Sequence, residues 1–118
     1  METDFVDAAK RHWEDANFLL DENRLANADH LFGLSAECAL KAVMKGLGMP
    51  VRPDGSPSQY RIHINRLWDE FISFAQKQNG ARYEVYLAGQ CNPFFDWDIA
   101  QRYSPRSEFT QPDVQHHQ

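Results

Sequence analysis

The sequence predicts an all-α protein, an up-and-down bundle of four to five helices in a single domain covering residues 1–118. The first observation behind this prediction is the segment from Ala28 to Leu47, whose apolar side chains cover most of a helix circumference at about 100° per residue. A helix this apolar must be surrounded by other helices. The second observation is that two further segments, 4–22 and 63–78, each carry a single apolar helical face.

The first helix is predicted over residues 4–22, with Asp4 as its N-cap. His12 lies within its apolar face, Asp15 lies at the edge, and Phe18 projects toward the opposite, charged side. The apolar face consists of Phe5, Ala9, Trp13, Ala16, Leu19 and Leu20. This face predicts that one side of the helix is buried in the bundle.

The second helix is predicted from Leu25 or Asn27 to Leu47, with Gly48 ending it. The short turn before it predicts that the first two helices form an antiparallel hairpin. Its one polar stripe is interrupted by Leu34 and consists of His30, Glu37, Lys41 and Lys45.

A loop is predicted over residues 48–60, where three prolines and two glycines disfavour regular structure. A third helix follows from His63 to Gln78 and is closed by Asn79 and Gly80. Its buried face is predicted to be Ile64, Leu67, Trp68, Phe71, Phe74 and Ala75. Residues 82–90 are expected to form a short helix.

The segment from Asn92 to Tyr103 is too rich in aromatic rings for a free linker, so it is predicted to pack on the bundle. Thr110 and Pro112 then resemble the start of a last helix. This helix is either very short or continues beyond Gln118.

The net charge of −5 is concentrated at the start of the chain. Residues 1–22 hold seven acidic and two basic side chains, whereas the remaining acids and bases balance at ten each. This balance argues against broad binding to a phosphate backbone, which requires a basic face, but leaves room for a local RNA site.

The chain contains no apolar run long enough for a transmembrane helix, and its first residues lack the basic start of a signal peptide. The two cysteines, Cys38 and Cys91, are expected to be reduced, with Cys38 buried on the apolar side of the second helix. We therefore expect a cytoplasmic protein without a membrane partner.

The chain contains no Walker loop, no glycine-rich dinucleotide fingerprint, no Cys-x-x-Cys pair and no His-Glu-x-x-His motif. His116 and His117 could hold a stray metal ion near the end of the sequence. We expect neither a structural or catalytic metal nor a cofactor.

Glu37 and Lys41 stand one helical turn apart in the orientation that favours an ion pair. The simplest interpretation is a solvated or half-buried salt bridge. The alternative is a polar groove between the first two helices, with His12, Asp15 and His30 nearby.

His63 begins the third helix within the only locally basic patch, which also contains Arg52, Arg61 and Arg66. The simplest interpretation is an exposed loop and helix start, and the alternative is contact with an anion or phosphate.

The aromatic segment carries Trp97, Asp98, Arg102 and Tyr103. Asp98 and Arg102 could bridge within one turn, with Trp97 and Tyr103 anchoring a pinned loop. Alternatively, the segment forms the rim of a ligand or RNA site, where aromatic rings stack on bases and arginine meets phosphate. The outward ring of Phe18 is either an isolated surface ring or part of a dimer contact, and we interpret it as a dimer contact.

In their order along the chain, these features resemble the HEPN family of small helical domains (higher eukaryotes and prokaryotes nucleotide-binding). The residues that carry the resemblance are His12, Asp15, Ala16 and Leu19; Ala28 to Leu31, Gly33, Leu34 and Ala36 to Ala42; His63, Leu67 and Trp68; and Trp97, Arg102 and Tyr103. The resemblance implies a four- or five-helix bundle that forms a homodimer. It also implies a link to defence or toxin–antitoxin systems, often beside a small nucleotidyltransferase.

Active members of that family are metal-independent endoribonucleases with an Arg-x4-6-His motif at the start of the last long helix. In this chain nine residues separate Arg106 from His116. Arg24 and His30 have a matching interval of five residues but lie at the first hairpin. No catalytic residue is therefore carried over from the family.

Three functional hypotheses follow. The leading one is a non-catalytic HEPN-like module that acts by dimerisation or by binding a protein such as a nucleotidyltransferase. The second is a divergent endoribonuclease that pairs Arg102 or Arg106 with His116 or His117. The third is a small-ligand or nucleotide-binding module whose groove contains Asp15, Glu37, Lys41 and His63.

Overall fold

The computed structural model describes residues 2–59, 61–77 and 92–118. Within these ranges the chain forms four α-helices and two short 3₁₀ helices, which confirms the all-α class. They are α1 (Phe5–Asp21), α2 (Leu25–Gly46), α3 (Ile64–Lys77), η1 (Ile99–Tyr103), η2 (Arg106–Glu108) and α4 (Gln111–His117). The described ranges contain no strand, only an isolated bridge between Val51 and Pro57. The predicted helix at 82–90, the stop at Asn79 and Gly80, and Cys91 lie outside the described residues.

The first two helices form the predicted antiparallel hairpin. The carboxylate of Asp4 caps α1 by accepting a hydrogen bond of 2.9 Å from the backbone N–H of Asp7. Asn23 adopts a left-handed conformation with φ of 60°, which lets the chain reverse between α1 and α2. Farther from the turn, the Ser35 hydroxyl donates a 2.8 Å hydrogen bond to the Ala9 carbonyl and joins the two helices.

Helix α2 is the centre of the bundle, as predicted, since it contacts α1, α3, α4, η1 and η2. The predicted polar stripe is wrong in one respect, because Glu37 and Lys41 are buried whereas Ala39 is exposed. The physical reason is that Lys41 pairs with Glu37, whose other carboxylate oxygen contacts His63, and these contacts compensate the loss of water. Cys38 is half-buried rather than fully buried, and it forms no disulfide with any described residue.

Three apolar clusters hold the helices together. The first joins the end of α2 to α3 and contains Met44, Met49, Leu67, Phe71, Phe74 and Ala75. The second joins α1, the start of α2 and α4 and contains Ala16, Leu20, Ala28, Phe32 and Val114. The third joins α3 to the aromatic segment and contains Ile64, Trp68, Phe94 and Trp97. All six residues of the predicted α3 face are buried, whereas the prediction for Trp13 is wrong, since it is 50% exposed.

The aromatic segment packs on α2 through one tryptophan. The indole N–H of Trp97 donates a 3.0 Å hydrogen bond to the carbonyl of Asp29, and Trp97 is 1% exposed. The prediction of Tyr103 as a second anchor is wrong, since its ring is 77% exposed. Asp98 does not bridge to Arg102 within the described ranges. Its carboxylate instead caps η1 by accepting a 2.7 Å hydrogen bond from the N–H of Ala100.

The last described helix begins as predicted, with the Thr110 hydroxyl accepting from the N–H of Asp113 and Pro112 in the first turn. Among the described helices, none combines the length and the apolar character needed to cross a bilayer.

Candidate functional site

A buried carboxylate, Glu37, lies at the centre of the predicted polar groove. One of its oxygens accepts from the Lys41 ammonium at 3.3 Å, and the other lies 2.9 Å from Nδ1 of His63. The expected salt bridge between Glu37 and Lys41 is present, but both residues are 8% exposed, so it is buried rather than solvated or half-buried. His63 is the outer end of this group, because 45% of its side chain is exposed.

Local structure explains why these three side chains meet. Glu37 and Lys41 occupy positions i and i+4 of α2, on one face of the helix. The carbonyl of His63 accepts the first backbone hydrogen bonds of α3, from Arg66 and Leu67, so its side chain is fixed at the start of that helix. Docking of α3 on α2 therefore brings the imidazole to the carboxylate, although 26 positions separate them in sequence.

Two further histidines lie on the same side of α2. His30 stacks on Trp97 with ring centroids 5.9 Å apart, and its buried Nδ1 has no hydrogen-bond partner among the described residues. Burial lowers the pKa of His30, and the charge of Arg102 lowers it further. Burial and Arg11 also lower the pKa of His12, against the opposing effect of the Asp15 and Glu37 carboxylates. Neutral imidazoles can accept a proton or a hydrogen bond.

His63 also opens onto a cleft of about 240 Å³. Arg61 and Arg66 from the predicted basic patch line this cleft together with Asp98, whereas Arg52 lies elsewhere, in the loop after α2. The structure thus brings Glu37, Lys41, His63 and Asp98 to neighbouring positions. Asp15 is exposed on α1, and it reaches this group only through its electrostatic effect on His12.

The remaining candidates lie on the surface. Arg102 places its guanidinium 4.8 Å from the ring centroid of Tyr103, and both side chains are exposed. Phe18 is 66% exposed on the charged side of α1, where the sequence places it.

Sequence reasoning missed a second buried polar group, built around His117. Its Nδ1 contacts a carboxylate oxygen of Asp29, and its Nε2 lies 3.0 Å from a carboxylate oxygen of Asp96. Gln101 donates a 2.6 Å hydrogen bond to the second oxygen of Asp29, and Phe94 stacks on the imidazole at 4.9 Å. The one available signal was Asp29, an acid on an otherwise apolar stretch of helix.

Burial alone lowers the pKa of His117, but hydrogen bonds and charge from Asp29 and then Asp96 outweigh it, so the net pKa is raised. This group borders a cleft of about 370 Å³ whose lining includes five carboxyl groups, those of Asp29, Asp96, Asp98, Glu108 and Asp113. Across residues 2–59, 61–77 and 92–118, no set of three or more His, Cys, Asp or Glu side chains is arranged to hold a metal ion.

The described residues thus form two separate polar groups, Glu37 with Lys41 and His63, and His117 with Asp29 and Asp96. Comparison of the chain with family models, with curated proteins and with solved structures finds no match.

Proposed function

We propose that this chain is a non-catalytic, HEPN-like binding module that acts by pairing with a second copy of itself through α1. The observation that carries the proposal is that Phe18 is 66% exposed on the charged side of α1, while Trp13, at 50%, and Val6, at 55%, are exposed on another side of the same helix. Exposed aromatic residues of this size are typical of protein interfaces.

The charges of α1 support pairing with a copy rather than with an unrelated surface. Lys10 and Arg11 precede Trp13, and Glu14 and Asp15 follow at once, all of them exposed. A two-fold axis midway between His12 and Trp13 exchanges positions 10 and 15 and positions 11 and 14. An antiparallel pair of α1 helices therefore sets bases against acids in both directions, as a self-complementary interface requires.

The non-catalytic part of the proposal is supported by the position of His117. Both nitrogens of its imidazole contact carboxylates, and the residue is 7% exposed. Arg102 and Arg106 line a different cleft, with neither histidine of the last helix among its lining residues. An RNA-cleavage assay tests the alternative hypothesis of a divergent endoribonuclease. Structured RNA is incubated with the protein in the presence of EDTA, and cleavage would favour the enzyme.

The resemblance to the HEPN family also leads us to propose a biological role. A homodimer of this kind would serve as the accessory subunit of a defence or toxin–antitoxin system, with a nucleotidyltransferase as its protein partner. The class of the neighbouring genes distinguishes this role from an unrelated metabolic one.

Sedimentation equilibrium of the full chain, over about a hundredfold range of concentration, tests the pairing. We expect the wild type to dimerise, and Phe18→Glu to weaken dimerisation at least about tenfold, because Phe18 lies on the charged side of α1 and the substitution places a further charge in the contact. Phe95→Glu is the matched control, since Phe95 is 75% exposed but lies outside α1. A monomeric wild type, or equal weakening by the control, would contradict the proposal.

A further inference from the structure

A third cleft, of about 520 Å³, opens between the turn that joins α1 to α2 and the η1–η2 segment. Its volume is in the range of small-molecule sites. Three of its lining residues are arginines, Arg24, Arg102 and Arg106, and no carboxylate of the described residues lines it. This concentration of cations stands out in a chain with a net charge of −5.

The three guanidinium groups are available to a ligand. All three arginines are exposed, and within residues 2–59, 61–77 and 92–118 none of them forms an ion pair. Each guanidinium presents a planar fork of N–H donors that matches the oxygens of a phosphate. Three like charges around one cleft repel one another, and a polyvalent anion would relieve that repulsion.

The cleft also offers neutral donors and a ring. Asn27 lines the cleft, and its side-chain amide can donate to anionic oxygens, whereas the Gln101 amide already donates to Asp29 and accepts from the N–H of Asp98. The N-terminal backbone of α2 borders the same space, and Arg24 at its N-cap provides no side-chain cap. Beside the cleft, the exposed Tyr103 ring lies against Arg102 and presents a surface for stacking.

We propose that this cleft binds the phosphate group of a small phosphorylated molecule, with Arg24, Arg102 and Arg106 around the phosphate and Tyr103 against the group that carries it. The site is independent of pairing through α1. A small ligand fits better than a long nucleic acid because the basic lining is confined to one cleft, and exposed acids, Asp21 and Glu22, stand just before the turn.

Isothermal titration of the full chain with pyrophosphate, ribose 5-phosphate and AMP tests this site. We expect all three probes to bind, and Arg102→Gln and Arg106→Gln each to lower affinity at least about tenfold, the effect of losing one charge-assisted contact. Arg52→Gln is the matched control, because Arg52 is exposed in a loop away from this cleft, and we expect it to change nothing. Far-UV circular dichroism and the melting temperature establish that each variant is folded.

Tyr103→Ala separates the two sources of affinity. We expect it to weaken AMP severalfold while leaving pyrophosphate within about twofold, since only the base can stack on the ring. The absence of binding by every probe at millimolar concentration would overturn the proposal, as would an equal loss in Arg52→Gln. Tighter and strongly salt-dependent binding of a single-stranded RNA oligonucleotide would instead identify a nucleic-acid surface and overturn the small-ligand site.

Discussion

At the scale of single residues, the contact between Gly33 and Trp97 limits what the sequence may contain. A Cβ atom added at Gly33 would lie 2.1 Å from the indole of Trp97, far inside van der Waals contact. Trp97 is buried and hydrogen-bonded to the carbonyl of Asp29, so it cannot swing away without losing that bond. The glycine therefore serves close packing, in the middle of a helix where glycine is otherwise unfavourable.

We predict that Gly33→Ala destabilises the protein by about 1–3 kcal/mol, the usual cost of overpacking a core. Urea unfolding followed by circular dichroism measures the change. Gly46→Ala is the matched control, because it lies in the same helix and a Cβ there meets nothing within 4 Å. The control should be neutral or slightly stabilising, by up to about 1 kcal/mol. Equal stability of Gly33→Ala and wild type would mean that Trp97 does not pack against α2 as described.

At the scale of elements, the sequence predicted the helices well and their polar partners poorly. Apolar periodicity and local caps place α1, α2 and α3 within a few residues of their observed bounds, because both signals arise from neighbours in sequence. The ion pair of Glu37 and Lys41 was equally predictable from their spacing in the sequence. Its burial was not, because it depends on how α3 docks.

The group around His117 shows the limit more sharply. His117 meets Asp29 across 88 positions of sequence, so neither residue carries a local sign of the other. The hydrogen bond from Trp97 to Asp29 spans 68 positions of sequence. Only the packed fold shows that the Trp97 ring lies against Gly33 and so requires a residue without a side chain there. Tyr103 and Trp13 are large aromatic residues of the kind found in cores, but both are exposed. Apolar character alone does not determine which face of an element its neighbours cover.

The docking of α4 on α2 leads to a prediction of how the stability of the protein depends on pH. The raised pKa of His117 means that the folded state holds its proton more tightly than the unfolded chain, whose value is near 6.5. The stabilisation is therefore fully present below that value and is lost as pH rises through the folded pKa. We predict that the stability difference between wild type and His117→Gln is larger at about pH 5.5 than at about pH 8.5.

Urea unfolding of both proteins at the two pH values measures that difference. The lowered pKa values of His12 and His30 disfavour the folded state in acid, but this effect is the same in both proteins and cancels in the difference. His116→Gln is the control. His116 is the exposed neighbour of His117 and forms no ion pair within the described ranges. A difference that grows with rising pH would contradict the assigned contacts with Asp29 and Asp96.

At the scale of the whole molecule, charge is buried where the bundle is held together. Helix α2 touches every other described helix, yet its buried residues include Asp29, Glu37 and Lys41. Each buried charge is costly unless paired. Lys41 pairs with Glu37 on the same helix, whereas Asp29 and Glu37 also take partners from other elements. Dependence on those partners makes the arrangement specific, because a displaced α3 would remove His63 from Glu37.

We predict that Glu37→Gln destabilises the protein by about 3–5 kcal/mol, because it leaves the Lys41 ammonium buried without a counter-charge. Lys41→Met should cost less, since Glu37 keeps His63 as a partner. In the double variant Glu37→Gln/Lys41→Met no unpaired charge remains, so its loss should be smaller than the sum of the single losses by at least about 1 kcal/mol. Urea unfolding of the four proteins gives this coupling directly. Additive losses would mean that water reaches the pair, and would contradict a buried ion pair at the centre of the candidate site.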